Sequence, residues 1–297
     1  MKSFPGNGIN KSVMKLRSVI HLNRIFLSLS VISIIGLSCS TPKDIVSAVK
    51  EDDYSRAEKL LDSGTPAGFS DPSGDSLLHV AAEYGSGKTA ELLVSRHADI
   101  NAVNRHGETP LSLAAFKGRI NVVKILVRTG ADVNIPNRDG VTPLMYASGT
   151  GNTETVSVLL GKGADPNRIS KEGLTALAYA GTADHADVMK LLMDNRADVN
   201  VRLHDNDTIL MIVSNQGNVR AAGVLLDHGA EVNARNSSRD TALMAACRSR
   251  HGEMIQLLLK HGADPFLRDS NGATALVHAG RAGDKTNVEM IEKAMKK

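Results

Sequence analysis

Gly130-Ala131-Asp132-Val133-Asn134-Ile135-Pro136-Asn137-Arg138-Asp139-Gly140-Val141-Thr142-Pro143-Leu144, running on through Gly151 and Leu159-Leu160 to Gly163-Ala164-Asp165-Pro166, is one copy of a repeat that organises most of the 297-residue chain. Ser76, Thr109, Thr142, Thr175, Thr208, Thr241 and Thr274 stand 33 residues apart. Ala98, Ala131, Ala164, Ala197, Ala230 and Ala263 keep the same interval, as do Leu93, Leu126, Leu159, Leu192, Leu225 and Leu258. A fixed period of this size marks a solenoid, in which no unit buries its apolar face alone and stability comes from stacking. A chain of this length would ordinarily divide into two domains. The unbroken register predicts one elongated array instead.

Composition agrees with that reading. The hydrophobic fraction is ample for a core, there is no Trp, and Phe and Tyr together number nine. The formal net charge of +3 comes from the leader. Lys2, Lys11, Lys15, Arg17 and Arg24 lie in residues 1–38 without an acid; taking those five from the 35 basic residues leaves 30 against 32 acidic, a net of −2. The basic balance therefore gives no reason to expect nucleic-acid binding. The two cysteines, Cys39 and Cys247, stand in unrelated contexts, so a disulfide framework is not expected.

Residues 1–38 read as a signal peptide: a basic segment, an apolar run from Ile25 to Leu37, and small residues around Ser38-Cys39-Ser40. The run falls short of the roughly 20 residues that a membrane span needs. Met14 offers a second start with its own basic segment, Met14-Lys15-Leu16-Arg17. Gly36-Leu37-Ser38-Cys39 resembles a bacterial lipobox, with Gly36 where Leu is usual and Ser38 where Gly or Ala is commoner. The resemblance implies that Cys39 is lipidated and becomes the mature N-terminus. An uncleaved signal anchor and ordinary cleavage leaving a free thiol are the alternatives. Acyl chains on Cys39 would hold the protein at a bilayer. Ser40 resembles the residue of lipoproteins sorted to the outer membrane, so the expected location is the bacterial envelope, at the outer membrane or periplasmic face. Residues 39–42 form a short spacer before a helix start at Thr41-Pro42-Lys43-Asp44.

Residues 43–74 predict an N-terminal capping repeat, with Leu60 and Leu61 in register with Leu93 and Val94 and charged residues outside. Residues 75–272 hold six repeats of 33 residues, and residues 273–297 a C-terminal cap. Asp139-Gly140, Thr142-Pro143-Leu144, Ala147, Gly151, Leu159-Leu160 and Gly163-Ala164-Asp165 resemble the ankyrin repeat, and Glu108-Thr109-Pro110-Leu111 through Gly130-Ala131-Asp132 is equally close. The resemblance implies an all-α fold class, an ankyrin-repeat solenoid of stacked helix–turn–helix units with hairpin-like turns. Thr109 and Thr142 before Pro suit a helix start. Small pairs such as Ala114-Ala115, Ala147-Ser148 and Ala246-Cys247 let inner helices approach closely. Residues 200–252 depart most from the pattern: Asn206 replaces the turn Gly, and Arg250 replaces the Gly that ends an inner helix, as Asp184 does in the preceding repeat.

Few residues invite chemistry. Gly85-Ser86-Gly87-Lys88-Thr89 looks like the end of a phosphate-binding loop, but the motif's first Gly would fall at Ala82 and a helix precedes it. His79 falls at the resembled family's own histidine position, where it braces the turn. His228 and His261 precede Gly229 and Gly262 at helix ends, too far apart to share a metal ion. Cys247 is expected to be a buried, inert thiol. No catalytic residue, metal site or cofactor is expected, and no small-molecule substrate.

The resemblance implies instead a monomeric scaffold that binds a protein partner through turn tips and inner helices. Carried over position by position, the tips offer Arg105, His106, Arg138, Asp139 and Lys171, and the inner helices Tyr84, Phe116, Lys117, Tyr146, Tyr179 and Arg248. Four of the nine Phe and Tyr residues thus fall on neighbouring inner helices. Aromatics and Arg are common interface anchors. Tyr146 and Tyr179 share the register of Leu113, so packing between repeats competes with partner contact at those two. An exported effector acting on host proteins is a different class of reading, and an enzyme or metal-dependent envelope protein a third.

Overall fold

The computed structural model describes residues 42–296, which place their regular structure in paired helices. The expected signal peptide and Cys39 lie outside the described residues. The pairs are α1 (Pro42–Lys50) with α2 (Tyr54–Asp62), α3 (Leu77–Tyr84) with α4 (Gly87–Ser95), α5 (Pro110–Phe116) with α6 (Ile120–Arg128), α7 (Pro143–Gly149) with α8 (Thr153–Gly161), and α9 (Ala176–Thr182) with α10 (Ala186–Asp194). Then come α11 (Ile209–Gln216), α12 (Val219–Asp227), α13 (Ala242–Arg248), α14 (Gly252–Lys260), α15 (Ala275–Ala282) and α16 (Lys285–Met295).

Two compact units result. Among the described residues, the longer takes residues 42–201 together with Asn218–Ala230; the shorter takes Arg202–Gly217 together with the residues from Glu231 on. In the longer unit the inner helices α1, α3, α5, α7 and α9 pack in one row, and α2, α4, α6, α8, α10 and α12 in a second. In the shorter, α11, α13 and α15 form the inner row and α14 and α16 the outer.

The repeating residues explain the rows. Ser76, Thr109, Thr142, Thr175, Thr208 and Thr241 have extended backbone, and each side chain accepts from the N–H three residues on. Each cap satisfies a donor that the first turn would otherwise leave unpaired. Pro110 and Pro143 fill the first helical position. Leu93, Leu126, Leu159, Leu192, Leu225 and Leu258 are fully buried between rows, and Ala81-Ala82, Ala114-Ala115 and Ala246-Cys247 line the close approach of inner helices. Gly85 and Gly217 close α3 and α11 in the left-handed conformation, where a side chain is strained.

Within each unit a row of asparagines links successive repeats. Asn134 donates from Nδ2 to the Gly163 carbonyl at 3.0 Å and accepts from the Asp165 N–H at 3.0 Å. Asn167 repeats this with the Arg196 carbonyl and the Asp198 N–H, and Asn233 with Gly262 and Asp264 in the shorter unit. The turns are also tied through the backbone. Arg105 N–H donates to the Ser73 carbonyl, Arg138 to His106, and Lys171 to Asp139, at 2.8–3.1 Å.

Over residues 200–252 the helices keep the length they have elsewhere. The departures fall in the turns: a 3-10 segment at His204–Asn206 puts Asp205 and Asn206 at φ of 58° and 59°. Asp184 and Arg250 take the left-handed conformation that Gly holds in other repeats, at 58° and 60°.

Candidate protein-binding surface

The inner-helix face of the longer unit gathers the aromatic residues. Tyr84 ends α3 with its side chain 46% exposed, and the Lys50 ammonium of α1 sits 5.0 Å from its ring centroid. One repeat on, Lys117 pairs with Glu83 at 3.1 Å and lies 6.0 Å from the Phe116 ring. Phe116 and Tyr146 meet edge to face, 5.2 Å between centroids at 60°. An exposed Tyr84 and a half-buried Phe116, each beside a lysine on a rigid helical row, supply anchor area with little side-chain freedom to lose.

Tyr146 contributes only part of itself. Its hydroxyl donates to Glu108 Oε1 at 2.6 Å, and Asn137 Nδ2 donates to the same carboxylate at 2.6 Å and to the Tyr146 oxygen at 2.9 Å. Burial and the adjacent Glu108 push the phenol far above its usual range. The hydroxyl therefore braces the turn, and the ring edge that meets Phe116 is what remains.

Two expected contact residues are corrected. Tyr179 is 5% exposed, and burial pushes its phenol up to about 12. Gly149 stands where Phe116 stands one repeat earlier; its missing side chain leaves room for the Tyr179 ring, which passes 3.4 Å from where a Cβ would sit. Arg248, in the shorter unit, is half-buried, and its guanidinium donates to both oxygens of Asp240 at 3.0 and 2.9 Å. It is committed to an internal pair. The tip residues Arg105, His106, Arg138, Asp139 and Lys171 are exposed, as expected, and so is Lys117.

Asp240, Asp269 and His278 bring ligand atoms within 4.8 Å of one another. Their lone pairs are already used: Asp240 holds Arg248, while Asp269 accepts from the Asn271 and Ala273 N–H groups at 2.8 and 2.9 Å and from His278 Nε2 at 3.0 Å. Burial raises the Asp269 carboxyl, but the Ala273, Asn271 and His278 donors together outweigh it and hold the group below its usual range. Burial, with Arg248 nearby, holds His278 below its own. A cation there would have to displace Arg248, so the group is balanced as it stands.

The other candidates resolve locally. The N–H groups of Lys88 and Thr89, at the start of α4, donate to the Asp52 carboxylate at 3.3 and 2.9 Å, so a protein anion fills the place a phosphate would take. His79 lies between Ser76 Oγ at 2.9 Å and the Glu108 carbonyl at 2.8 Å, and burial holds it below its ordinary pKa. It braces the turn, as expected. His228 bonds the Val224 carbonyl at 2.8 Å. Burial pushes the Cys247 thiol up to about 12, which leaves no reactive thiolate.

Stacked helix pairs with tied turns and exposed tips define a helical-repeat scaffold for protein–protein interaction. The comparisons specify it. A family model described as ankyrin repeats (three copies) matches residues 45–137, 129–203 and 209–296, and the chain belongs to this family. The human ASB11 ankyrin repeat domain is 28% identical, with a TM-score of 0.68, covering 74% of this chain and 98% of that one. The ankyrin repeat domain of Bcl-3, a member of the IkappaB family, is 28% identical with a TM-score of 0.65, covering 72% and 97%. No curated protein sequence matches significantly.

Proposed function

We propose that this chain is a non-catalytic scaffold, held on the exported side of a bacterial envelope by a lipid on Cys39, that docks a protein partner on the inner-helix face of its longer unit. The observation that carries the docking surface is the Tyr84–Phe116 row with Lys50 and Lys117 beside it. The exposed tips Arg105, His106, Arg138, Asp139 and Lys171 border the contact. The sequence at Gly36-Leu37-Ser38-Cys39 supports the anchor.

Two measurements test the two parts. Tyr84→Ala combined with Phe116→Ala is expected to lower partner recovery from native membranes, with a thermal midpoint no lower than Phe116→Ala alone gives through its lost contact with Tyr146; unchanged recovery removes this face. Metabolic palmitate labelling is expected to mark the wild type and to be lost in Cys39→Ser. An unlabelled, released wild type would favour the exported-effector reading.

A further inference from the structure

Position 103 of the repeat register is a place where the fold leaves the residue free. In the longer unit it holds Val103 and Ile169, 56% and 53% exposed, with Pro136 between them in sequence. In the shorter unit the same register holds Arg202, Arg235 and Arg268. Arg202 is neutralised by Glu231 at 2.6 Å. Arg235 and Arg268 are treated differently. Arg235 donates from Nε to the Arg239 carbonyl at 3.4 Å and from Nη2 to the Arg268 carbonyl, and Arg268 donates from Nη1 to the Gly272 carbonyl at 2.8 Å. Backbone carbonyls thus fix the direction of these guanidiniums without cancelling their charge, and most of the five N–H donors of each stay open.

Arg239 adds an independent observation. The tip position it fills is Gly in five other turns, Gly74, Gly107, Gly140, Gly173 and Gly272, each with positive φ. Arg239 holds the same left-handed conformation at φ 60°. Asn206 fills the same position one repeat earlier at φ 59°, so the turn accepts a side chain there at a local cost, and at Arg239 that side chain adds a third cation to the edge. Among the described residues, no carboxylate oxygen forms an ion pair with Arg235, Arg239 or Arg268. Two of the nearby acids are spent on other partners, Asp240 on Arg248 and Glu231 on Arg202. The turns that carry the arginines lie side by side, with Ser237 N–H donating to the Asp205 carbonyl and Ser270 to Ser238, each at 2.9 Å.

We infer that the turn edge of the shorter unit, through Arg235, Arg239 and Arg268, docks an extended acidic segment of a partner protein. Planar guanidiniums fit carboxylates through two parallel hydrogen bonds. Neighbouring repeats lie roughly 10 Å apart by helix packing. An extended chain advances about 3.3 Å per residue, so a segment with an acid at every third residue places one carboxylate at the turn of Arg235 and Arg239 and the next at Arg268, one repeat on. This surface is separate from the aromatic face of the longer unit and does not depend on it.

The test uses the full chain and two fluorescent peptides of identical composition, one with Glu at every third residue among Ser and Gly, the other with its Glu residues in one block. Fluorescence anisotropy is expected to show tighter binding of the spaced peptide, weakening as salt rises. Arg239→Gly with Arg268→Gln is expected to weaken it about tenfold, while Arg239→Gly alone leaves the thermal midpoint equal or higher, since it relieves strain. Tyr84→Ala with Phe116→Ala is expected to leave peptide binding unchanged. The proposal is overturned if the arginine variant binds as wild type does, if no peptide binds at low salt, if phosphatidylglycerol vesicles bind and the peptides do not, or if the aromatic variant abolishes peptide binding.

Discussion

At the residue scale, the side chains that hold the array together are those that reach the next unit. Asn167 serves two partners in its successor, the Arg196 carbonyl and the Asp198 N–H, at 3.0 and 2.8 Å. Asn167→Ala is expected to cost about 1–2 kcal/mol, read as a lower urea midpoint. The asparagine period is visible in the sequence, but its role is not, because the carbonyl it meets lies 29 residues on and is set by stacking. The opposite effect is expected where a side chain sits in left-handed backbone. Arg196 stands at φ 69°, in the place held by Gly163 and Gly229 in neighbouring copies. Arg196→Gly is expected to raise stability by roughly 0.5–1 kcal/mol, measured by the same titration. Tyr146 and Tyr179 show where residue-level reading stops. They occupy one register, yet Phe116 stands beside the first and Gly149 beside the second, and that neighbour decides which ring is buried.

At the element scale, each inner helix is specified by its cap and its small residues, and both are legible. The Thr-Pro starts and Ala pairs predict the helices, and the structure places them accordingly. The brace between consecutive turns is only half legible. His79 can be assigned to it, whereas Tyr146, which joins Glu108 and Asn137, looks like a surface aromatic until its hydroxyl is placed. His79 also makes the array acid-sensitive. Burial keeps its ring neutral in the folded protein by lowering its pKa, while the unfolded chain takes up a proton near 6.5. The stability it confers is full above that unfolded value and is lost as pH falls below it, toward the folded pKa. Thermal midpoints are therefore expected to drop between pH 7 and pH 5. His79→Gln is expected to melt lower at pH 7 but with a shallower slope. An unchanged slope would assign the acid loss to other groups, with His278, depressed in the same direction, the next to replace.

At the scale of the whole molecule, the conserved physics of the repeat and the information about partners occupy different positions. Buried Leu and Ala recur because every repeat must stack on its neighbours, and Gly because the turns need left-handed backbone. Tyr84 and Phe116 do not recur in the register, and Tyr84 keeps its ring exposed while Phe116 keeps part of its own, which is why they are read as contact residues. Arg248 was legible as a cation on an inner helix, but its commitment to Asp240, eight residues away, required the turn to be folded. The central claim is that the inner-helix face of the longer unit is where a partner sits. Site-specific photo-crosslinking in cells tests it most directly, with benzoylphenylalanine placed in turn at Tyr84, at Lys117, and at the exposed outer-helix residues Glu91 and Lys124. The account predicts one adduct of the same mass from positions 84 and 117 and none from 91 and 124. Adducts from the outer helices alone, or equally from all four positions, would contradict it.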